Sequence, residues 1–147
     1  MIRLVCLGAL VLLLGCVKTA TPPLNTPVIE VYGGGGFAGS SRTLIYANDT
    51  LSSEHTNPNG KTVRNSVQGH PGAYQAALAI IRAEGPHLRR AMKGKADSYD
   101  CLDYGTDLVS VTPPVSGFDK VSANCPEQAL LAFQRKILDA TTGVTGP

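Results

Sequence analysis

Three glycines near the start of the chain have the spacing of a dinucleotide-binding motif. Gly34, Gly36 and Gly39 spell G-x-G-x-x-G and follow the β-branched residues 28–32. In that motif a helix begins after the glycines, and its N-terminal N–H groups bind the pyrophosphate. Here residues 42–47 (R-T-L-I-Y-A) follow instead, and their β-branched, alternating pattern is typical of a strand. The sequence therefore predicts a hairpin at the glycines, with no nucleotide and no other cofactor bound.

Three histidines, His55, His70 and His87, are the candidate general bases. None of them lies in a nucleophile motif such as G-x-S-x-G, and the zinc motif H-E-x-x-H does not occur. The densest acidic group is Asp97, Asp100, Asp103 and Asp107. Its spacing differs from that of a calcium-binding loop, so solvent-facing charges are favoured over a weak calcium site. The sequence predicts neither an enzyme nor a metal site.

Two of the four cysteines, Cys101 and Cys125, lie in the body of the chain. In an oxidising compartment a disulfide bond is the default state of such a pair. The bridge would stabilise the fold by roughly 3 kcal/mol in the chain-entropy model. Two free buried thiols are the alternative.

Residues 1–15 have the pattern of a secretory signal. Arg3 supplies a positive start, and an apolar run from Leu4 to Leu14 follows. This run is too short to cross a bilayer as a helix. It ends in Leu13-Leu14-Gly15-Cys16, which resembles the lipobox of bacterial lipoproteins.

The lipobox resemblance implies cleavage after Gly15 and attachment of lipid to Cys16. Val17 rather than an aspartate follows the cysteine, which by the sorting habit of that family favours the outer membrane of a Gram-negative cell. Acyl chains on one cysteine hold a protein to a membrane because each buried methylene contributes about 0.8 kcal/mol. The alternative is an ordinary signal peptide, cleaved for example after Ala20.

The charge balance of the mature chain offers no electrostatic reason to bind nucleic acid. The chain has 13 basic and 11 acidic residues, and loss of Arg3 with the signal leaves twelve basic residues. A nearly neutral net charge gives no electrostatic case for binding nucleic acid or an anionic membrane surface. The predicted organisation is a Thr/Pro-rich tether at residues 16–27, one domain at residues 28–140 and a flexible tail at residues 141–147.

The periodicity of the domain predicts an α+β fold. Strands are expected at residues 28–32, 42–47, 107–111 and 118–123, with a further short strand possible at 62–68 and loops at 52–60 and 112–117. One helix is expected from Pro71 to a break at Gly85-Pro86, a short helical turn after it, and a final helix at residues 126–140. The order β-β-α-β-β-α suggests a small antiparallel sheet covered on one face by two helices.

The glycine hairpin leaves two interpretations open. In the favoured one, Phe37 is a plug that is mostly buried in the core, and the glycines serve backbone geometry. In the other, the loop recognises a partner.

The residues Gly35, Gly36, Phe37, Ala38 and Gly39, between two strands, resemble the opening of emfourin-type proteins. The acidic and aromatic approach to a later strand (Asp100, Asp103, Tyr104) and Pro126 before a leucine-rich final helix are also similar. The resemblance covers roughly residues 28–140. It implies an inhibitor of thermolysin-like metalloproteases, and it assigns the inhibitory role to no individual residue.

These observations predict a membrane-anchored envelope lipoprotein that acts as a protein-binding module, with a protease as the partner that the resemblance implies. Two other functions remain open, a structural component of the envelope and a small extracytoplasmic hydrolase. A hydrolase would need histidine and aspartate side chains that converge in a pocket.

The predicted anchor is tested by Cys16→Ala. Because the variant has no thiol to receive the lipid, we expect it in the soluble extracytoplasmic fraction or trapped as the uncleaved precursor. Mass spectrometry of the mature N-terminus is the check on the unaltered chain. An unlipidated N-terminus elsewhere, such as directly after Ala20, would contradict the lipoprotein interpretation.

Overall fold

The computed structural model describes residues 26–93, 101 and 103–143 of the 147-residue chain. The predicted signal, Cys16, most of the tether and the last four residues lie outside the described residues. The strands are β1 (Val28–Gly34), β2 (Ser40–Tyr46), β3 (Thr50–Thr56), β4 (Thr62–Gln68), β5 (Asp107–Val115) and β6 (Phe118–Ala123). The helices are α1 (Ala73–Ala91) and α2 (Gln128–Thr142), and a single 3₁₀ turn, Gly36–Ala38, connects β1 to β2.

The strands form one antiparallel sheet in the order β4-β3-β2-β1-β5-β6. The predicted α+β class, an antiparallel sheet with two helices, is confirmed. The short strand predicted at residues 62–68 is present as β4, and the structure adds β3, which pairs with it between β2 and α1. The predicted loop at residues 52–60 was wrong for residues 52–56, which belong to β3.

The core lies between the sheet and the helices. Alternate residues of β1, Ile29 and Val31, face it and are buried, as the period of a half-buried strand requires. Phe118 of β6 is completely buried and meets Phe133 of α2 edge-to-face, with 6.2 Å between ring centroids. Each fully buried side chain of this size contributes roughly 1.5–3 kcal/mol. The other large core side chains are Ile45, Tyr74, Leu78, Ile81, Met92, Val109, Val111, Val121, Leu130 and Ile137.

The first helix is continuous, which corrects the predicted break at Gly85-Pro86. Pro86 lies inside α1, where it removes one backbone hydrogen bond. Gly85 is buried, and a Cβ there would lie 2.7 Å from the Phe118 ring. Close packing of Gly85 on Phe118, together with buried Ile81 and Met92 on either side, holds this stretch helical despite the proline.

Three further boundaries differ from the prediction. Strand β5 continues to Val115, so that the predicted six-residue loop is reduced to a turn at residues 116–117. Helix α2 begins at Gln128 rather than at Pro126, and it ends at Thr142. Thr141 is 2% exposed, so the start of the predicted flexible tail is in fact part of the packed helix. Among residues 26–93, 101 and 103–143, no helix is both long and apolar enough to cross a bilayer.

The start of α1 is held by a side chain from the turn between β2 and β3. The two carboxylate oxygens of Asp49 accept hydrogen bonds of 2.8 Å from the N–H groups of Gly72 and Tyr74. These bonds satisfy donors that a helix start leaves without intrahelical partners, and they lower the pKa of Asp49. The turn thereby connects the sheet to the helix layer.

We expect Asp49→Asn to lower the melting temperature, because the amide offers one acceptor oxygen where the carboxylate offers two. Asparagine tolerates the positive φ of 62° at this position, so the loss reports the hydrogen bonds. The pKa of Asp49 is lowered in the folded state. Its contribution is therefore complete above the ordinary value of 3.8 and is lost as the pH falls through the folded-state pKa.

Thermal unfolding at several pH values measures this effect. The gap between the unaltered chain and Asp49→Asn should be largest near neutral pH and should narrow below pH 3.8. Asp139→Asn, which changes an exposed carboxylate on α2, serves as the control. A gap that is constant over the whole pH range would contradict the assignment.

Candidate functional site

The loop between β1 and β2 has a backbone conformation that side chains would prevent. The Gly35 N–H donates a 2.7 Å hydrogen bond to the Gly39 carbonyl oxygen, which closes the loop on itself. Gly34 and Gly36 have φ values of 99° and 56°, where a residue with a Cβ is strained. A Cβ on Gly34 would also overlap the Gly39 carbonyl oxygen. Glycine is therefore required for the loop to close so tightly.

The loop rests directly on the backbone that precedes β5. A Cβ on Gly36 would overlap the Asp103 carbonyl oxygen, and a Cβ on Gly105 would overlap the Gly34 carbonyl oxygen. The Thr106 N–H donates a 2.9 Å hydrogen bond to the same Gly34 oxygen. Glycines on both sides thus allow two backbones to touch with no side chain between them.

A disulfide bond between Cys101 and Cys125 ties the segment before β5 (residues 103–106) to the chain that leads into α2. The two Cα atoms are 5.3 Å apart, within the span of a disulfide bond, so the predicted pairing is present in the structure. Thr106 adds a second link, since its hydroxyl donates a 3.1 Å hydrogen bond to the side-chain oxygen of Asn124. The support of the loop is therefore cross-linked to the helix layer.

Three polar side chains hold the base of the loop. Asp107 is 2% exposed and accepts a 2.7 Å hydrogen bond from the Tyr104 hydroxyl. Burial and this hydrogen bond raise the pKa of Tyr104 to about 12, so the hydroxyl remains a donor at neutral pH. Gln134 of α2 donates hydrogen bonds of 2.8 Å to the Tyr32 carbonyl oxygen and 3.2 Å to that of Leu108. These bonds join α2 to both β1 and β5.

The prediction that Asp107 is a solvent-facing charge was wrong. Its side chain is buried beside Gly33, where a Cβ would lie 2.9 Å from the Asp107 Oδ1 atom. Asp103 is exposed, and Asp97 and Asp100 lie outside the described residues. The carboxylate spacing alone did not distinguish the buried member of this group.

Phe37 points away from the core, which corrects the expectation of a buried plug. Its side chain is 80% exposed, the highest value among the large apolar side chains of the described residues. The space beneath the loop is filled by the backbone contact between Gly36 and Asp103, so no room remains there for a phenyl ring. The 3₁₀ turn therefore displays the ring, flanked by the small residues Gly36 and Ala38.

A second loop, the turn between β3 and β4, lies against the other side of the glycine loop. A Cβ on Gly39 would overlap the Thr56 carbonyl oxygen and lie 3.1 Å from the Asn57 carbonyl carbon. The Asn57 side-chain oxygen accepts hydrogen bonds from the N–H groups of Asn59 and Lys61, at 3.1 and 2.9 Å. The glycine loop is thus held on both flanks, and Phe37 is its exposed feature.

The letters Gly60-Lys61-Thr62 match the end of a phosphate-loop motif, but the rest of the motif does not follow. His55 stands where its first glycine would be, and strand β4, not a helix, begins at Thr62. Strand β2 likewise follows the G-x-G-x-x-G glycines. Neither glycine motif therefore has the helix N-terminus that binds phosphate.

The histidines lie in three different environments. His55 is exposed on β3, and His87 Nδ1 lies 2.9 Å from an Arg90 guanidinium nitrogen. His70 is bonded through both ring nitrogens, to the carbonyl oxygens of Ala140 at 2.7 Å and Pro71 at 3.0 Å. These two bonds raise the pKa of His70. Its ring connects the chain before α1 to the end of α2, which is a structural role.

One histidine lies near an aspartate, but the hydrogen-bonding atoms of both side chains are already bonded to backbone groups. Asp49 lies close enough to His70 to influence its charge, yet both Asp49 oxygens accept N–H bonds from the start of α1. The groove between α1 and β6 is lined by the basic side chains of Arg89, Arg90, Lys93 and Lys120, and no histidine or aspartate of the described residues lines it. Within the described part of the chain, no three histidine, cysteine or acidic side chains are grouped as metal ligands.

Comparison with protein-family models finds no match to this chain, and neither the curated proteins nor the solved structures provide one.

Several features of the site were not predicted from the sequence. The hydrogen bonds of Tyr104 and Gln134, and the flanking turn at Asn57, depend on contacts between residues far apart in the chain. Of these features, the sequence could have indicated only the role of Gly105, because a glycine just before a predicted strand is compatible with a close backbone approach.

Substitution of Gly36 should lower the free energy of unfolding, whereas truncation of Phe37 should leave it almost unchanged. Gly36→Val places a β-branched residue at a positive φ and against the Asp103 carbonyl oxygen, so we expect a loss of about 1–3 kcal/mol or more in the free energy of unfolding. Phe37→Ala deletes a ring that faces solvent, so the free energy of unfolding should change by no more than about 0.5 kcal/mol. Denaturant unfolding of the oxidised protein measures both.

The result for Phe37→Ala discriminates between the two interpretations of the loop. A truncated core residue loses about 3–5 kcal/mol. A loss of that size at Phe37 would show that the ring is buried, contrary to this structure.

Proposed function

We propose that this protein is a protein-binding module that inserts Phe37 into an apolar pocket of its partner. The observation that carries the proposal is a phenylalanine that is 80% exposed on a loop held by backbone contacts on both flanks. The exposed ring contributes no burial free energy to folding, so its apolar surface is available for burial against a partner. Buried aromatic anchors dominate the binding energy of many interfaces.

The energetics of the loop favour binding. Transfer of a phenyl side chain from water into a pocket contributes roughly 1.5–3 kcal/mol. A flexible loop would lose part of this gain, because ordering each side chain on binding costs about 0.5–1.5 kcal/mol and the backbone costs more. Here the Gly35–Gly39 bond, the contact with Gly105 and the nearby disulfide bond order the loop in advance.

The shape of the loop supports a narrow cleft as the target. Phe37 is the one large side chain of the 3₁₀ turn, and its neighbours Gly36 and Ala38 are small, so the loop can enter a cleft that accepts one large side chain at a time. Proteases bind their substrates in such clefts. The resemblance of Gly35–Gly39 to emfourin-type proteins leads to the same partner class, and we infer inhibition of a thermolysin-like metalloprotease as the specific activity.

The proposed location follows from the N-terminal sequence. A lipid on Cys16 would anchor the protein to the cell envelope, on the outer membrane, and residues 16–27 would form the tether between lipid and domain. An anchored inhibitor would protect the membrane surface from proteases that reach it.

Inhibition assays with a panel of thermolysin-like metalloproteases test the proposal. The unaltered protein should inhibit at least one enzyme, Phe37→Ala should weaken the inhibition at least tenfold, or about 1.4 kcal/mol, and Phe37→Leu should retain most of it. Val67→Ala, which truncates another exposed apolar side chain, should inhibit like the unaltered protein.

Two outcomes would contradict the proposal. Equal inhibition by Phe37→Ala and the unaltered protein would remove the loop from the interface. If no enzyme of the panel is inhibited, the protease assignment is wrong. A partner that is captured by the unaltered protein and lost with Phe37→Ala, but not with Val67→Ala, would then still identify the loop as a binding site.

A further inference from the structure

One edge of the sheet is open and regular along its whole length. All seven residues of β4 are exposed, and Val63 and Val67 are 58% and 49% exposed. The helices pack mainly against β1, β2, β5 and β6, so they leave β4 uncovered. The pairing of β3 with β4 runs without a bulge from Thr50–Gln68 to Thr56–Thr62.

The opposite edge has the protection that edge strands usually carry. Strand β6 contains Asp119 and Lys120, lies under α1, and its pairing with β5 is interrupted by a shift of register after Ser110. Such charges, irregularities and covering helices prevent strands from pairing with other chains. Strand β4 has no proline and no bulge, neither of the described helices covers it, and its one charged residue is Arg64.

An apolar row on the helix side of the sheet reaches this open edge. Paired residues of successive strands continue the row from the core to solvent: Val111, Ile29, Ile45, Leu51 and Val67. The first three are buried and Leu51 packs against the core, whereas Val67 is half exposed. The apolar row therefore ends at the edge strand β4, and a further strand paired with β4 would continue it.

The hydrogen-bonding groups at the edge alternate along β4. Lys61 accepts a backbone bond from Asn57, and Gly69 donates one to Asp49, so odd-numbered residues point their backbone groups toward β3. In an antiparallel ladder the intervening residues then point theirs outward. The outward-facing donors and acceptors belong to Thr62, Arg64, Ser66 and Gln68.

We propose that β4 pairs antiparallel with β4 of a second copy of this chain, with Asn65 on the two-fold axis. In this register Val63 lies opposite Val67 of the second copy, and by symmetry Val67 lies opposite Val63 of the second copy. Both are non-hydrogen-bonded pairs, in which side chains approach most closely. Thr62 faces Gln68 and Arg64 faces Ser66 through the outward-facing backbone groups, so the sequence of β4 is complementary to itself.

Charge disfavours one neighbouring register, and the loss of apolar pairs disfavours the other. A shift by two residues in one direction places Arg64 opposite Arg64 of the second copy, which is repulsive. The same shift in the other direction places Val67 opposite Asn65 and loses both valine pairs. In the proposed register Arg64, which already donates a 2.7 Å hydrogen bond to Glu54, meets the neutral hydroxyl of Ser66.

The dimer joins two six-stranded sheets into a continuous sheet with all helices on one face. The glycine loop lies beside Thr56, which pairs with Thr62 at one end of β4. Because the strands are antiparallel, the two copies of Phe37 lie toward opposite ends of the dimer and stay exposed. The dimer is therefore independent of the function proposed for Phe37.

Oxidative cross-linking of the full chain tests the dimer. On the axis, the two copies of residue 65 have Cα atoms about 4.5 Å apart, which a disulfide bond can span. Asn65→Cys should therefore give at least tenfold more reducible dimer than Ser53→Cys, the exposed neighbour on β3, whose copies lie about 14 Å apart at ordinary strand spacing. The unaltered chain measures the background from its own thiols.

A matched pair of variants in the Asn65→Cys background tests the register. Ser66→Arg sets two arginines against each other at both symmetric positions, and the dimer yield should fall at least tenfold. Ser66→Glu sets a carboxylate opposite Arg64 instead, and the yield should be kept. Sedimentation without the added cysteine should show a dimer of the unaltered chain that Ser66→Arg loses, while a cooperative thermal transition confirms that each variant folds.

The proposal is overturned by equal cross-linking of Asn65→Cys and Ser53→Cys, or by equal yields from Ser66→Arg and Ser66→Glu. A cross-linked product that contains a different protein would also overturn it, because β4 would then pair with that partner and not with a second copy.

Discussion

The contact between two backbones, one at Gly34–Gly36 and one at Asp103–Gly105, is the constraint on which the candidate site depends. A Cβ on Gly36 would overlap the Asp103 carbonyl oxygen, and a Cβ on Gly105 would overlap the Gly34 carbonyl oxygen. This contact excludes a side chain from the space beneath the loop, and therefore the ring of Phe37 must face solvent. The disulfide bond between Cys101 and Cys125 holds the lower segment in place.

The apolar core is formed by other residues than those of the loop. Its side chains come from β1, β2, β5, β6 and one face of each helix, whereas the base of the loop is held by the polar side chains of Tyr104, Asp107 and Gln134. The apolar core and the exposed ring are thus formed by different parts of the molecule. The same separation applies to the open edge at β4, where exposed valines lie outside the region that the helices cover.

The parts of the fold that could be predicted are those in which a local pattern is also a buried face. Ile29 and Val31 alternate in β1, and Leu130, Phe133 and Ile137 form the stripe of α2. Strand β3 was missed because the helices leave most of it uncovered, so polar residues occupy both of its faces: Ser53 and His55 lie on one, Ser52 and Glu54 on the other. Pro86 predicted a break in the helix because the buried contact of Gly85 with Phe118 cannot be inferred from the neighbouring residues. The exposure of Phe37 depends on Asp103, far along the chain.

The preorganisation of the glycine loop is measured most directly by its backbone order in the oxidised protein. If the contact with the segment before β5 holds the loop, backbone NMR order parameters for residues 35–39 should be near 0.85, like those of rigid strands. The Gly35 and Thr106 amides, which donate the two hydrogen bonds of the loop, should also be protected from exchange. Order parameters below about 0.6, with rapid exchange at both amides, would contradict a loop that is preorganised to present Phe37.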